Sequence, residues 1–132
     1  MADMGTKTVG EIMNAKLLYI SQGERLSLAR RHILQFGVTA VPVLDETHRP
    51  VGVVSLRDLQ RGDDELQLTS TVATVKDSDS VEDGAKALAA TDFHHLVVVD
   101  AKGVAVGMVS SVDFLRALLG LEPRHPKAFD EM

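Results

Sequence analysis

A nine-residue stretch that occurs twice is the strongest constraint on how this chain folds. Residues 51–59 read VGVVSLRDL and residues 106–114 read VGMVSSVDF, at an offset of 55 residues (106 − 51). In each copy an apolar run predicts a buried strand, a Ser follows where that strand must end, and an Asp comes three residues later at the start of a helical pattern. If the chain binds a ligand, we expect it at these two strand-to-helix corners.

The duplication extends well beyond these nine residues. Residues 37–59 align with residues 92–114 without a gap, and seven of the 23 aligned pairs are identical. Each copy predicts a strand, a helix, two strands and a helix in about 55 residues, which is below the size that buries its own core comfortably. The sequence therefore predicts an α/β (α+β) fold of two βαββα units related by pseudo-twofold symmetry, with the sheets packed together and the helices outside. In the first copy the identical residues are Val43, Asp45, Val51, Gly52, Val54, Ser55 and Asp58.

Polar and proline-containing segments divide the chain. Residues 1–62 are predicted to hold the first repeat with an N-terminal lead-in, residues 63–120 the second repeat, and residues 121–132 a C-terminal tail. Residues 9–13 of the lead-in have the apolar spacing of a short helix, which we expect to lie over the first repeat. Pro42 removes a backbone donor from a predicted strand, so that strand is expected at or near a sheet edge.

Composition argues against several classes of function. The 132 residues include 19 Asp plus Glu and 14 Lys plus Arg, and the net charge of −5 disfavours binding to nucleic acid or to an anionic membrane surface. Aromatic residues make up 4% of the chain, so a platform for several stacked bases is not expected. No apolar segment approaches the roughly 20 residues that span a bilayer.

Cysteine is absent, which excludes disulfides and thiolate metal sites and favours a cytoplasmic location. No combination of Ser, His and carboxylate side chains indicates a nucleophile with its base, and no spacing of His and carboxylate residues indicates a metal site. The sequence therefore predicts neither an enzyme nor a metalloprotein.

The duplicated pattern resembles a known module. The Gly-x-x-Ser-x-x-Asp strings that begin at Gly52 and Gly107, and the apolar-apolar-Asp ends of the middle strands at residues 43–45 and 98–100, are similar to a tandem pair of CBS domains, the module named after cystathionine β-synthase. The resemblance covers about residues 8–119. It implies a Bateman module that binds AMP, ADP or ATP, with S-adenosylmethionine or NADH as alternatives, in two clefts between the repeats. It also implies a homodimer that acts as an energy-sensing regulatory module, needs no cofactor and passes its output to an unidentified effector protein.

The resemblance further implies which residues contact the ligand. Asp58 and Asp113 would take the ribose hydroxyls, and Ser55 and Ser110 would hydrogen-bond the ribose or the phosphate. These roles agree with the chemistry, because a carboxylate can accept from two vicinal hydroxyls and helix N-terminal N–H groups favour an anion. The implied contacts to the base and the phosphate are Ile20, Val38, Thr39, Ala40 and Arg57 in the first repeat, and Val75, Phe93, His94 and His95 in the second.

Plainer interpretations stand beside this one. A Ser followed three residues later by an Asp is also a helix-capping box, which needs no ligand. The alternative function is therefore a ligand-free dimerisation or protein-interaction module. Arg57, His94 and His95 are equally compatible with solvated surface positions. The two corners also differ, since Val112 stands where the first corner has Arg57, so the two sites need not bind alike.

Overall fold

The computed structural model describes residues 7–36, 40–55 and 72–125, with Leu26, Ala29, His32, Phe36 and Ser55 described by their main chain only. These residues form two compact units: one contains residues 18–55, and the other joins residues 7–17 to residues 73–125. In chain order the elements are α1 (Val9–Ile12), β1 (Ile20–Ser21), α2 (Leu26–Phe36), β2 (Ala40–Leu44), β3 (Pro50–Ser55), β4 (Thr74–Lys76), α3 (Val81–Ala89), β5 (His95–Val99), β6 (Ala105–Ser110) and α4 (Ser111–Leu118).

The two units contain matching three-stranded sheets. β1 runs parallel to β2 and β2 antiparallel to β3, while β4 runs parallel to β5 and β5 antiparallel to β6. The pairing of Ala40 with Ser55 recurs 55 residues later as the pairing of His95 with Ser110, and the register irregularity next to Val43 recurs next to Val98. The predicted α+β fold of two repeats is confirmed. Of the helix predicted to close the first repeat at residues 55–61, residue 55 ends β3 and residues 56–61 lie outside the described residues.

The turn between the last two strands of each repeat shows the same duplication. The Asp45 carboxylate accepts two main-chain hydrogen bonds within its turn at 2.8 and 3.0 Å, and Asp100 accepts the equivalent pair at the same distances. The bond from the Thr47 hydroxyl, ahead of the main-chain bonds, lowers the pKa of the Asp45 carboxyl. His48 and Gly103 occupy the turn tips with φ values of 64° and 82°. The repeated Asp after the middle strand is therefore a turn-forming residue.

Pro42 lies in the central strand of its sheet, so the edge-strand prediction is wrong. At the equivalent position of the second repeat, Val97 donates its N–H to the Ala73 carbonyl at 3.2 Å, whereas a proline has no N–H to donate. β1 pairs only with Val43 and Leu44 and is two residues long, where β4 has three. The proline is accommodated by a shorter neighbouring strand rather than by moving β2 to an edge.

The N-terminal lead-in packs on the second repeat, so the expectation that it lies over the first is wrong. Val9 and Ile12 of α1 are 0% and 2% exposed and belong to the apolar core that contains Phe114. Asn14 and Met108 exchange main-chain hydrogen bonds of 2.8 and 3.1 Å. The second repeat thus buries two apolar side chains of the lead-in and supplies main-chain groups of β6 for its hydrogen bonds. The order of segments along the chain does not predict this packing.

Each unit has its own apolar core. The first core consists of Leu18, Ile20, Ile33, Val41, Val43 and Val54, and the second of Val9, Ile12, Val75, Val81, Leu88, Leu96, Val98, Val109, Phe114 and Ala117.

Among residues 7–36, 40–55 and 72–125, no helix has the length and the apolar character needed to cross a membrane.

Candidate functional site

The corner of the second repeat is the junction between β6 and α4. β6 alternates buried and half-buried residues and ends at Ser110, whose φ of −112° and ψ of 167° are still extended. A Ser in this conformation before a helix can accept a hydrogen bond from an N–H group of the first turn. Ser110 is accordingly the N-cap residue of α4, as the sequence pattern predicts.

Ser110 and Asp113 form a complete capping box. The Ser110 hydroxyl accepts the N–H of Asp113 at 3.2 Å, and Asp113 Oδ2 accepts the N–H of Ser110 at 2.8 Å. Ser111 donates its N–H to the His94 carbonyl at 2.9 Å. Since these three main-chain N–H groups are all engaged within the chain, they are not open to a phosphate in this conformation, contrary to the expectation for the helix start.

Asp113 is buried, which a capping role alone does not require. Its exposed fraction is 7%. The same Ser-x-x-Asp string begins α3, where the Ser80 hydroxyl accepts the N–H of Asp83 at 3.0 Å while Asp83 itself is exposed. Because an ionised carboxylate loses free energy on burial unless its oxygens find partners, the position of Asp113 indicates a second role for its other oxygen, Oδ1.

The imidazole groups of His95 and His125 belong to the surroundings of the Asp113 carboxylate. His95 is half-buried and lies opposite Ser110 in the β5–β6 ladder. Burial lowers the pKa of His95, the charge of His94 lowers it further, and the charge of Asp113 opposes the shift. These effects together favour the neutral form of the His95 imidazole. His125 approaches from the C-terminal side, with its Nδ1 atom 3.8 Å from Asp113 Oδ1.

The structure thus places four of the residues predicted to bind ligand around one corner. Phe93, next in sequence to His94, is 53% exposed. Val75 is 4% exposed inside the apolar core, so any ligand contact there falls to its main chain. The four residues that meet at the corner are His94, His95, Ser110 and Asp113.

The predicted site of the first repeat is only partly described. Ile20 is 1% exposed within its core, and Ala40 is half-buried opposite the main chain of Ser55. These positions match Val75, His95 and Ser110 of the second repeat by the 55-residue offset. Val38, Thr39, Arg57 and Asp58 lie outside the described residues, and their predicted roles are untested.

No sequence pattern predicts His125 at this corner. It follows α4 in a segment with two prolines, which no helical or strand pattern connects to Asp113. The fold alone brings the two side chains together. In the described part of the chain, no group of three or more His, Asp or Glu side chains is placed to hold a metal ion.

Comparison with protein families identifies the repeat. The CBS domain model matches residues 9–65 and 63–120, so this chain belongs to the CBS domain family and carries the domain as a tandem pair. The chain is similar to the chloroplastic CBS domain-containing protein CBSX2 of Arabidopsis thaliana. The two are 28% identical over an alignment of 160 positions, gaps included, that covers 92% of this chain and 67% of CBSX2.

Solved structures share this fold. The crystal structure of CBSX2 in complex with AMP has a TM-score of 0.76 at 32% identity and covers 86% of this chain and 97% of that chain. The CBS domain of a bacterial CNNM/CorC family Mg²⁺ transporter in complex with ATP has a TM-score of 0.78 at 22% identity, over 90% and 92% of the two chains. The chain also spans 24% of a homoserine O-acetyltransferase of Methanohalobium evestigatum, with 26% identity over 83% of this chain.

Proposed function

We propose that this chain is a regulatory module that binds an adenine nucleotide at the corner formed by His94, His95, Ser110 and Asp113. The observation that carries the proposal is the buried Asp113 carboxylate, of which only Oδ2 serves the helix cap. Vicinal ribose hydroxyls are donors that a carboxylate oxygen binds strongly. The complex of CBSX2 with AMP supports an adenosine ligand, with ADP, ATP, S-adenosylmethionine and NADH as the other candidates.

The remaining contacts follow from exposure and charge. His94 is exposed beside the corner, and its imidazole can contact a phosphate group. The N–H groups at the start of α4 are already hydrogen-bonded within the chain and do not bind this phosphate. The exposed ring of Phe93 offers an apolar face to the base. These assignments make the module a binding protein without a catalytic centre, and they require no cofactor.

By the repeat equivalence, we extend the proposal to a second corner in the first repeat. That corner has Arg57 where the described corner has Val112, so its phosphate contact comes from a guanidinium instead of an imidazole. The proposed contacts there are Ile20, Val38, Thr39, Ala40, Ser55, Arg57 and Asp58.

Thermal unfolding with AMP, ATP, S-adenosylmethionine and NADH tests the proposal. A ligand that binds only the folded state at 100 times its dissociation constant adds about 2.7 kcal/mol to the free energy of unfolding. We expect AMP or ATP to raise the unfolding temperature. If none of the four ligands does so at millimolar concentration, the nucleotide proposal fails.

Two matched variants locate the site. Asp113→Asn keeps an oxygen that can cap α4 but removes the charge, and we expect AMP to bind about ten-fold more weakly. Asp83→Asn makes the same change in the exposed Ser-x-x-Asp string of α3 and is expected to bind AMP like the wild type. Equal affinity of the wild type and Asp113→Asn would move the ligand away from this corner.

A second candidate function is a ligand-free dimerisation or protein-interaction module. The complete capping box favours it, because Ser110 and Asp113 already satisfy each other. Exposed Val112, Leu115 and Leu119 form an apolar row on and just after α4 that supports pairing of two copies. This candidate predicts a stable homodimer that is indifferent to nucleotides. In either case the absence of cysteine is compatible with the predicted cytoplasmic location, and an effector protein would receive the output.

A further inference from the structure

The segment that follows α4 turns back along the helix towards its N-terminus. α4 ends at Leu118, and Gly120 has a φ of 72° that reverses the chain. The N–H of Leu121 then bonds the Arg116 carbonyl at 2.8 Å, and Arg116 Nε donates to the Glu122 carbonyl at 2.8 Å. Two hydrogen bonds to one residue of α4 therefore fix the start of the returning segment.

The returning segment ends at the oxygen that the cap leaves unused. His125 Nδ1 lies 3.8 Å from Asp113 Oδ1, and the two side chains are 27% and 8% exposed. The other carboxylate oxygen, Oδ2, already accepts the N–H of Ser110. His125 thus faces the one carboxylate oxygen that remains for a ligand.

We propose that residues 121–125 are a built-in cover of the nucleotide corner, in which His125 occupies the place of the ribose hydroxyls until a nucleotide displaces it. This inference rests on the proposed function of Asp113. A separation of 3.8 Å is too long for a hydrogen bond, so His125 makes only a weak contact with the carboxylate. A ribose that forms direct hydrogen bonds to the same oxygen therefore competes successfully. The cover weakens nucleotide binding without abolishing it.

Calorimetric titration with AMP tests the cover on three forms of the chain. We expect His125→Ala to bind AMP roughly two- to five-fold more tightly than the wild type, because the weak contact between His125 and Asp113 no longer has to be broken. Arg124→Ala changes the exposed neighbour in the same segment and is expected to match the wild type.

The outcomes distinguish failure of the proposed cover from failure of the proposed nucleotide site at Asp113. AMP binding that His125→Ala leaves unchanged overturns the cover alone, and weaker binding makes His125 a ligand contact, which also overturns it. Failure of every form, His125→Ala included, to bind AMP, ATP, S-adenosylmethionine or NADH shows that the proposed function is wrong and overturns the cover with it.

Nuclear magnetic resonance gives a second readout on the unaltered chain. Saturating AMP should shift the ring-proton signals of His125 towards their positions in the Asp113→Asn variant without AMP. AMP displaces the imidazole from the carboxylate, and Asp113→Asn removes the carboxylate, so the imidazole loses the same neighbour in both cases. His125 signals that stay in place while AMP binds would overturn the cover.

Discussion

Asp113 combines a structural contact and a proposed binding contact in one carboxylate. Oδ2 holds the N-terminus of α4 through the Ser110 N–H, while Oδ1 faces His125. The Ser-x-x-Asp string predicts the first contact, because capping depends on residues that are close in sequence. The string does not predict burial, since the same string at Ser80 leaves Asp83 exposed. The tertiary position of the residue, not its motif, distinguishes the candidate site from an ordinary cap.

We expect His95 to make the stability of the fold depend on pH. Burial lowers the pKa of His95 from its ordinary value of 6.5, so the unfolded state takes up a proton more readily than the folded state. The contribution of the neutral imidazole to the free energy of unfolding is fully present above about pH 6.5. It is lost as the pH falls through that value towards the folded-state pKa. We therefore expect the unfolding temperature to decrease from about pH 7.5 to about pH 5.5, as measured by circular dichroism.

His95→Ala tests this origin, because the first repeat has Ala40 at the equivalent position. The variant should show a shallower pH dependence than the wild type. His48→Asn removes an exposed imidazole at a positive-φ position that Asn tolerates, and it should keep the wild-type slope. A slope in His95→Ala as steep as in the wild type would contradict the assignment.

At the scale of elements, local pattern predicts most of the strands and helices, and long-range contacts account for the errors. Apolar runs and helical spacing predict both sets of matching elements, which the sheets confirm. The packing partner of α1 depends on a contact between Asn14 and Met108, which are far apart in sequence. The edge-strand prediction from Pro42 is wrong because the neighbouring strand β1 is short. The sequence around Pro42 gives no indication of the length of β1.

Gly107 shows how closely the lead-in approaches the second repeat. A Cβ atom at this position would lie 2.7 Å from the Asn14 carbonyl oxygen and 2.7 Å from Met13 Sδ. We expect Gly107→Ala to lower the free energy of unfolding by about 1–3 kcal/mol in urea titration, as overpacking does in a fitted site. Amide hydrogen exchange at Asn14 and Met108 should accelerate at the same time.

Met13→Ala combined with Gly107→Ala serves as the control for that prediction. It relieves the clash with the flexible sulfur but leaves the Asn14 carbonyl, which belongs to the backbone. The double variant should therefore remain less stable than Met13→Ala alone. Wild-type exchange rates at Asn14 in Gly107→Ala would show that the lead-in does not pack against β6.

For the whole molecule, the duplicated sequence predicts two repeats, and the family match and the two sheets confirm them. The 55-residue offset carries over to strand register and to the Asp45 and Asp100 turns. Sequence identity between the repeats does not predict the path of the segment that follows α4. The returning segment at His125 covers the second corner, and its position depends on contacts with Arg116 that no motif marks.

The exposed apolar row on α4 predicts self-association of the whole chain. Leu115 is 55% exposed between Val112 and Leu119, and a charge placed in an apolar contact between two copies is unfavourable. We expect the wild type to sediment as a dimer and Leu115→Glu as a monomer. Ala101→Glu adds the same charge at an exposed turn and should remain dimeric. A wild-type monomer, or a dimeric Leu115→Glu, would contradict the proposed contact.

A crystal structure of this chain with AMP would directly test the proposed role of Asp113. We expect ribose hydroxyls within hydrogen-bond distance of Asp113 Oδ1, with Oδ2 still bound to the Ser110 N–H and His125 displaced from the carboxylate. AMP bound elsewhere, with Asp113 still paired only with Ser110 and His125, would contradict it.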